Sequence, residues 1–303
     1  MPRASSASVA TLEEAATLLA AATAGGRRVR IGEDVDTARL DRLLEHEASD
    51  LTCTVEAGMR LSTLDDTLRP CGQRLVLDPP GDPTVGACLA ANLSGPLRHR
   101  FGTLRDLVLG VTLVLADGTI VNAGGKVVKN VAGYDLGKLV CGSRGMLALI
   151  ARVSLRLHPV PAAARTVVVE TDDPAGVAGR LLRAELVPSA LDVLYPGRVA
   201  MLFEGSDEAV ADQVARAAAL VEATPADEGV WEESRERQAV SRGTLRFSPG
   251  ELRAMLEGVD QAVVRPTAGV AYVPFEVPTD LPAAERALQE RVRARFDPAG
   301  TLA

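Results

Sequence analysis

Apolar residues recur at helical spacing directly after the capping-box sequence Thr11-Leu12-Glu13-Glu14. Leu12, Ala15, Ala16, Leu19 and Ala22 share one face, and Gly25-Gly26 ends the run. Arg28-Val29-Arg30-Ile31 reads as a short strand, and Leu40, Leu43 and Leu44 as a turn or short helix. Residues 51–57, rich in β-branched side chains, read as a strand. Leu61, Leu64 and Leu68 mark a second helix, closed by Pro70 and Gly72. Residues 107–115 are almost continuously apolar, and Asp117-Gly118 predicts a hairpin turn into Thr119-Ile120-Val121. Residues 146–150 and 153–157 supply further apolar stretches. Helices alternating with strands predict an α+β or α/β domain.

Pro159-Val160-Pro161 and the three alanines after it mark a domain boundary. Beyond it, residues 166–170 predict a strand and 174–186 a helix with proline in its first turn. Residues 191–195 and 199–203 predict two strands joined by Pro196-Gly197, and 207–221 a long Ala-rich helix. This β-α-β-β-α order predicts a ferredoxin-like cap. Residues 224–240, acidic and holding the only tryptophan, Trp231, read as a surface connection plus a short helix. Residues 263–266 and 270–275 return to strand, and a last helix covers about 282–296. No internal sequence repeat is present.

Length, charge and cysteines narrow the function classes. The 303 residues suffice for two domains, and 47% hydrophobic content builds a sizeable core despite 3% aromatic residues. A net charge of −7 argues against nucleic acid as a main partner. No apolar run reaches the roughly 18 residues of a membrane helix, and no basic-then-apolar leader precedes the first helix. A cytoplasmic protein is expected, with a peripheral place at the inner face of the membrane open through partners. Cys53, Cys71, Cys88 and Cys141 form no C-x-x-C pair, so no metal or iron–sulfur ligation is expected within the chain. His46, His99 and His158 are the only histidines, which leaves none after residue 158.

Small residues concentrate in two segments, 78–96 (DPPGDPTVGACLAANLSGP) and 124–150 (GGKVVKNVAGYDLGKLVCGSRGMLALI). Such residues let backbone approach a large ligand closely and leave N–H groups free for phosphate or ring oxygens. Thr84-Val85-Gly86-Ala87, Ala90-Ala91-Asn92-Leu93-Ser94-Gly95 and Arg100-Phe101-Gly102 are followed by Val108-Leu109-Gly110 and Ala116-Asp117-Gly118. A later set comprises residues 130–136, Leu139, Gly142-Ser143, Gly145 and Leu147. Over these residues the chain resembles the vanillyl-alcohol-oxidase/p-cresol-methylhydroxylase flavoproteins. Residues 126–136 and 75–80 look most like the FAD-binding E subunit of bacterial glycolate oxidase. The terminal Phe296-Asp297-Pro298-Ala299-Gly300-Thr301-Leu302 also resembles the end of many family members.

The resemblance implies an α+β protein: a two-subdomain FAD-binding fold of the p-cresol methylhydroxylase type over 1–160, then a reduced ferredoxin-like cap over 161–303. It implies non-covalent FAD, held by Ile31, Gly32, Pro80, Thr84, Gly86, Leu89, Ala90, Asn92, Ser94, Gly95, Arg100, Phe101, Gly102, Tyr134, Gly142 and Ile150. The implied partners are a catalytic flavoprotein subunit and an iron–sulfur subunit. Two departures from the family pattern stand out. The first phosphate loop, usually rich in glycine, reads Arg30-Ile31-Gly32-Glu33-Asp34-Val35-Asp36-Thr37, with acids where a pyrophosphate would lie. Arg144 to Ala148 lacks the usual small residue and following glycine. Arg98, His99 and Arg100 form a basic run suited to a reduced flavin or an anionic substrate, or to a solvated turn. Lys126 and Lys129 suit a phosphate, a partner subunit or neither.

Oxidising a 2-hydroxy acid needs a base for the hydroxyl proton and a cation for the carboxylate. Arg265 and Arg246 are the candidate cations, and no base is evident, so the catalytic residues are left unassigned. Three readings follow: an FAD-holding subunit of a glycolate-oxidase-type complex, a flavin-free scaffold of the same complex, and a stand-alone flavin oxidoreductase. The histidine-free cap disfavours the third.

Overall fold

The computed structural model describes residues 6–125, 135–278 and 281–303. Helix α1 (Leu12–Ala24) starts at Thr11, whose hydroxyl accepts the Glu14 N–H at 3.1 Å. The 28–31 segment forms only isolated bridges, Val29 to Leu302 and Ile31 to Val35, rather than a strand. Strand β1 (Leu43–Glu47) occupies the place expected to be a turn or short helix. It is a largely solvated edge strand, so its apolar signal is weak. Strand β2 (Thr52–Glu56) and helix α2 (Leu61–Leu68) follow as expected. Next come helix α3 (Val85–Ala91), strand β3 (Val108–Val114), strand β4 (Ile120–Gly124), helix α4 (Leu136–Val140) and strand β5 (Leu149–Arg156).

These five strands form an antiparallel sheet in the order β1-β2-β5-β3-β4. Strand β3, inside the sheet, is apolar on both faces because both are covered. One face packs Val55, Leu64, Val85, Leu89, Leu113 and Val153 against α2 and α3. The other packs Val114, Leu149 and Ala151 against Leu12, Ala15 and Leu19 of α1.

The second sheet has seven strands. Strand β6 (Ala163–Glu170), helix α5 (Pro174–Arg183), strands β7 (Ala190–Tyr195) and β8 (Arg198–Gly205), helix α6 (Asp207–Val221) and strand β9 (Thr224–Ala226) make its first part. Helix α7 (Gly229–Ala239), strand β10 (Gly243–Arg246), helix α8 (Leu252–Glu257) and strands β11 (Ala262–Arg265) and β12 (Val270–Val273) make its second. The order is β9-β6-β8-β7-β11-β12-β10, antiparallel throughout. Its first four strands have the order of one β-α-β-β-α-β unit. The second part repeats that plan from β10 to β12 without a fourth strand, and β7 pairs with β11 where the two parts meet.

Helices α5, α6 and α8 cover one face of this sheet with Val177, Leu181, Val210 and Leu256. Helix α7 covers the other. The 224–240 stretch is therefore not a surface connection: Trp231 is 5% exposed and donates its indole N–H to Thr166 Oγ1 at 2.9 Å. That ring fixes the rotation of α7. Ser234 and Gln238, three and seven residues on, share its face; Ser234 bonds Asp192 of the same sheet, and Gln238 reaches the Ser94 carbonyl of the first domain.

Helix α9 (Ala283–Phe296) returns the chain to the first domain. There the Asp297 carboxylate accepts the N–H groups of Thr301 at 2.9 Å and Leu302 at 2.7 Å. Leu302 is wholly buried in the α1 core, so the chain's last residues pack with residues 9–40.

Candidate functional site: a cofactor groove beside an interdomain cluster

A groove of about 340 Å³ runs over the first domain. Three distant stretches build it: residues 31–38, the α3 region 84–91, and residues 144–150. Hydrogen bonds hold the third against the second, from Gly142 N–H to the Leu89 carbonyl at 2.9 Å and from Arg144 N–H to the Ala90 carbonyl at 2.8 Å. The walls are small residues, chiefly Gly32, Ala38, Gly86, Ala90, Gly145 and Ala148.

Ile31, Gly32, Thr84, Gly86, Ala90 and Ile150 of the expected site line this groove. Leu89 lies beneath it, wholly buried, and Gly142 flanks it. Asn92 ends α3 in the left-handed region, at φ 50°, and its Oδ1 is buried with no hydrogen-bond partner. Ser94 and Gly95 lie further along, Ser94 meeting Gln238 and Arg265 of the second domain, and half-buried Pro80 does not line the groove. Gly95 is required there because a Cβ would stand 1.7 Å from the Asp78 carbonyl oxygen. Arg100, Phe101 and Gly102 form a separate cluster, with Phe101 edge-on to His158 at 4.9 Å and Arg100 5.6 Å over the Phe101 ring. Tyr134, Lys126, Lys129 and residues 130–133 lie outside the described residues. Asp36, Thr37, Ala38 and Arg144 line the groove and were absent from the sequence-based site. Their signal was the very departure from the family pattern at 31–37 and 144.

The acids of the 31–36 loop do not all face the groove. Glu33 pairs with Arg30 at 2.6 Å, and Asp34 accepts both the Arg30 N–H, at 2.9 Å, and its Nε, at 3.3 Å. Those bonds hold the Asp34 carboxyl below its ordinary range. Asp36 remains, a groove-lining residue whose Oδ1 accepts the Ala38 N–H at 2.9 Å. Exposed Arg144 lines the same groove and offsets that charge.

The groove fits a flavin dinucleotide on three observations. Its volume lies at the lower end of ligand clefts, room for part of an extended molecule. Gly32, at φ 91°, has nothing within 4 Å of where a Cβ would stand, which leaves its backbone open to a ligand. The orphaned Asn92 Oδ1 stands at the end of α3, directly after groove-lining Ala90 and Ala91.

Between the domains lies a polar cluster. Arg265 is 0% exposed, and its guanidinium meets Asp192 Oδ1 at 3.4 Å, Gln238 Oε1 at 2.7 Å and Tyr272 OH at 3.1 Å. Asp78 borders this cluster, and its carboxylate accepts the Leu97 N–H at 3.1 Å. Burial pushes the Asp78 carboxyl up to about 7, against the opposing pull of Arg265, the Leu97 N–H and Arg235. His99 binds Thr267 Oγ1 through Nδ1 at 3.0 Å, and burial lowers its pKa. Arg74 and Glu204 join the domains by two parallel bonds of 2.8 Å. Arg246, the other expected cation, is exposed on the edge strand β10. Among the described residues, no group of three or more His, Cys, Asp or Glu is placed to hold a metal ion.

Residues 9–124 match the FAD binding domain family. The chain is 35% identical over 135 residues to glycolate oxidase subunit GlcE of Escherichia coli, covering 44% of this chain and 39% of that one. It is 32% identical over 171 residues to D-lactate dehydrogenase (cytochrome) 1 of Saccharomyces cerevisiae, covering 54% and 29%. Against D-lactate dehydrogenase of Archaeoglobus fulgidus it is 40% identical over 117 residues, covering 38% and 26%. The matched part thus spans well under half the length of each relative. In fold, the chain superposes along 97% of its length on alkyldihydroxyacetonephosphate synthase, at a TM-score of 0.73, 15% identity and 74% of that chain. Residues 9–124 are thus similar to the FAD binding domain family, and the fold of the chain is that of the FAD-binding p-cresol methylhydroxylase type.

Proposed function

We propose that this chain is the FAD-holding subunit of a 2-hydroxy-acid dehydrogenase of glycolate-oxidase type. It binds FAD non-covalently and works with a catalytic flavoprotein subunit and an iron–sulfur subunit in the cytoplasm, or peripherally at the membrane through them. No helix among the described residues is long and apolar enough to cross a membrane. One observation carries this reading: the cofactor groove is present while the buried cation of the second domain is already spent on Asp192, Gln238 and Tyr272. The match to the E subunit of glycolate oxidase supports the same conclusion.

FAD, when bound, supplies the electron-accepting ring. The chain's own part is to bind, orient and shield it. Ile31, Gly32, Thr37 and Ala38 take one side of the dinucleotide, and Thr84, Gly86 and Ala90 the other. Arg144 meets phosphate charge, offsetting Asp36. Asn92 Oδ1 offers an unpaired polar contact inside the protein, where a hydrogen bond is worth more than in water. Arg265 already faces Asp192 and donates to Gln238, Tyr272 and the Ser94 carbonyl, with its Nε alone making no hydrogen bond, so it is not a free cation for a substrate carboxylate.

The test is to purify the chain alone and within its complex and record the visible flavin bands. A yellow chain that oxidises glycolate only in the complex is expected. A colourless chain inside an active complex refutes the cofactor reading and favours the flavin-free scaffold. Glycolate oxidation by the isolated chain refutes the division of labour.

A further inference from the structure

Ser94 sits at the end of the first small-residue segment and is 2% exposed. Its carbonyl oxygen accepts two hydrogen bonds from the second domain, from Gln238 Nε2 at 2.9 Å and from an Arg265 Nη at 3.4 Å. Its hydroxyl takes a third, from Arg98 at 3.1 Å. Gln238 is held at both ends, since its Oε1 accepts the other Arg265 Nη at 2.7 Å. Tyr272 fixes the guanidinium from the side, through its hydroxyl at 3.1 Å and through its ring at 4.9 Å. Asp192 holds Nε at 3.4 Å and is itself bound by the Ser234 hydroxyl at 2.5 Å. Strands β7, β11 and β12 and helix α7 all contribute, and they converge on one backbone carbonyl of the first domain.

A wholly buried ion pair is a poor way to gain stability, because desolvating both charges offsets most of their attraction. What such a network does supply is one fixed geometry. Here the fixed object is the turn that follows groove-lining Ala90 and Ala91 and carries Asn92 with its unpaired Oδ1. The bond to a main-chain carbonyl constrains backbone, so the position of Asn92 depends on it directly.

We propose that Arg265 and Gln238 are positioning residues that hold the Asn92–Gly95 turn in its cofactor-receiving conformation through the Ser94 carbonyl. FAD affinity then depends on the second domain, although no residue of that domain lines the groove. The inference rests on the FAD-holding reading above.

The experiment titrates FAD into the full chain, following flavin fluorescence, with the thermal midpoint of the FAD-free protein measured in parallel. Gln238→Met removes both bonds at a partly exposed position. Gln238→Glu keeps an acceptor for Arg265 but no donor for Ser94. The pair Arg265→Met/Asp192→Leu removes the buried charges together, so neither is left alone. Each variant is expected to weaken FAD about tenfold, the scale of one or two lost hydrogen bonds, while the FAD-free midpoint of Gln238→Met and Gln238→Glu stays near wild type. Wild-type affinity in all three variants overturns the proposal. So does a loss of affinity that only tracks a fall in the FAD-free midpoint. If the wild-type chain itself takes up no FAD, the FAD-holding reading fails and the proposal falls with it.

Discussion

Breaking the Arg74–Glu204 pair measures how firmly the two domains are joined. Both N–O distances are 2.8 Å, and the side chains are 12% and 7% exposed, so the pair is bidentate and nearly dry. Arg74 lies beside the strand-like pairing with His158-Pro159 in the first domain, and Glu204 closes β8 in the second. Arg74→Met leaves the Glu204 carboxylate buried and unpaired, a loss of about 3–5 kcal/mol on the scale of broken buried pairs. Glu204→Leu strands the guanidinium at a similar cost. Replacing both removes two desolvation penalties together, so the double variant is expected within about 1–2 kcal/mol of wild type. The resulting cycle gives a coupling energy of about 4–9 kcal/mol, most of the summed single losses, read by urea unfolding followed by both Trp231 fluorescence and far-UV circular dichroism. Single substitutions costing under about 1 kcal/mol, with additive effects, would show a solvated pair of the surface kind and refute the dry interdomain strap.

Gly32→Ala adds a methyl at φ 91°, a strain of about 1–2 kcal/mol, on a groove-lining residue with open space around it. Loss of FAD affinity well beyond that strain is expected from fluorescence titration, and unchanged affinity would remove Gly32 from the site. The Asp78 carboxyl, facing Arg265, Arg235, Asp192 and the Leu97 N–H, sits at about 7 in the folded chain against 3.8 ordinarily. A raised folded pKa means the folded state holds the proton longer, so its contribution is complete below about pH 4 and is lost as pH rises toward 7. Three pK units correspond to about 4 kcal/mol at most, and about 2 once the carboxyl's remaining solvent access is counted. Asp78→Asn should flatten this slope in urea midpoints measured from pH 4 to 7, and an unchanged slope assigns it elsewhere. Burial pushes the Cys53 and Cys88 thiols up to about 12 and Cys141 to about 11, whereas Cys71 is exposed. Iodoacetamide on the native chain should therefore alkylate Cys71 first, and mass spectrometry finding Cys53 or Cys88 modified first contradicts their burial.

Elements with a cap and a one-sided apolar pattern were legible in the sequence. Helix α6 begins at Ser206, whose hydroxyl accepts the Ala209 N–H, and its span 207–221 agrees with the reading. Helix α1 is legible for the same reason. Strand β1 was not, because an edge strand reading Leu-Leu-Glu-His-Glu buries too little to alternate. Helix α7 was legible as a short helix but not as a buried one: Glu232 and Glu236 do face water, but Val230, Trp231 and Ser234 lie on the opposite side. Of the groove, residues 84–91 were legible through the family resemblance. Asp36 to Ala38 and Arg144 were marked only as departures from the family pattern at 31–37 and 144, and chain folding is what brings them to the groove. The Arg265 cluster shows the same limit from the other side. An arginine ending a strand reads as a free cation until Asp192, seventy-three residues earlier, is found against it.

That pairing decides where substrate charge is met. Were Arg265 to turn toward a substrate carboxylate, it would leave the wholly buried Asp192 without its counter-charge, and Gln238 without its donor. Asp192 faces Arg265 as an ion pair without a hydrogen bond, yet losing that counter-charge still leaves a wholly buried carboxylate at a cost of several kcal/mol. The guanidinium therefore stays with Asp192, and the turn at Ser94 stays fixed. A hydroxy acid must then find its cation outside this cluster. Under the proposed function that cation would come from a partner subunit, while the second domain of this chain braces the turn at Ser94.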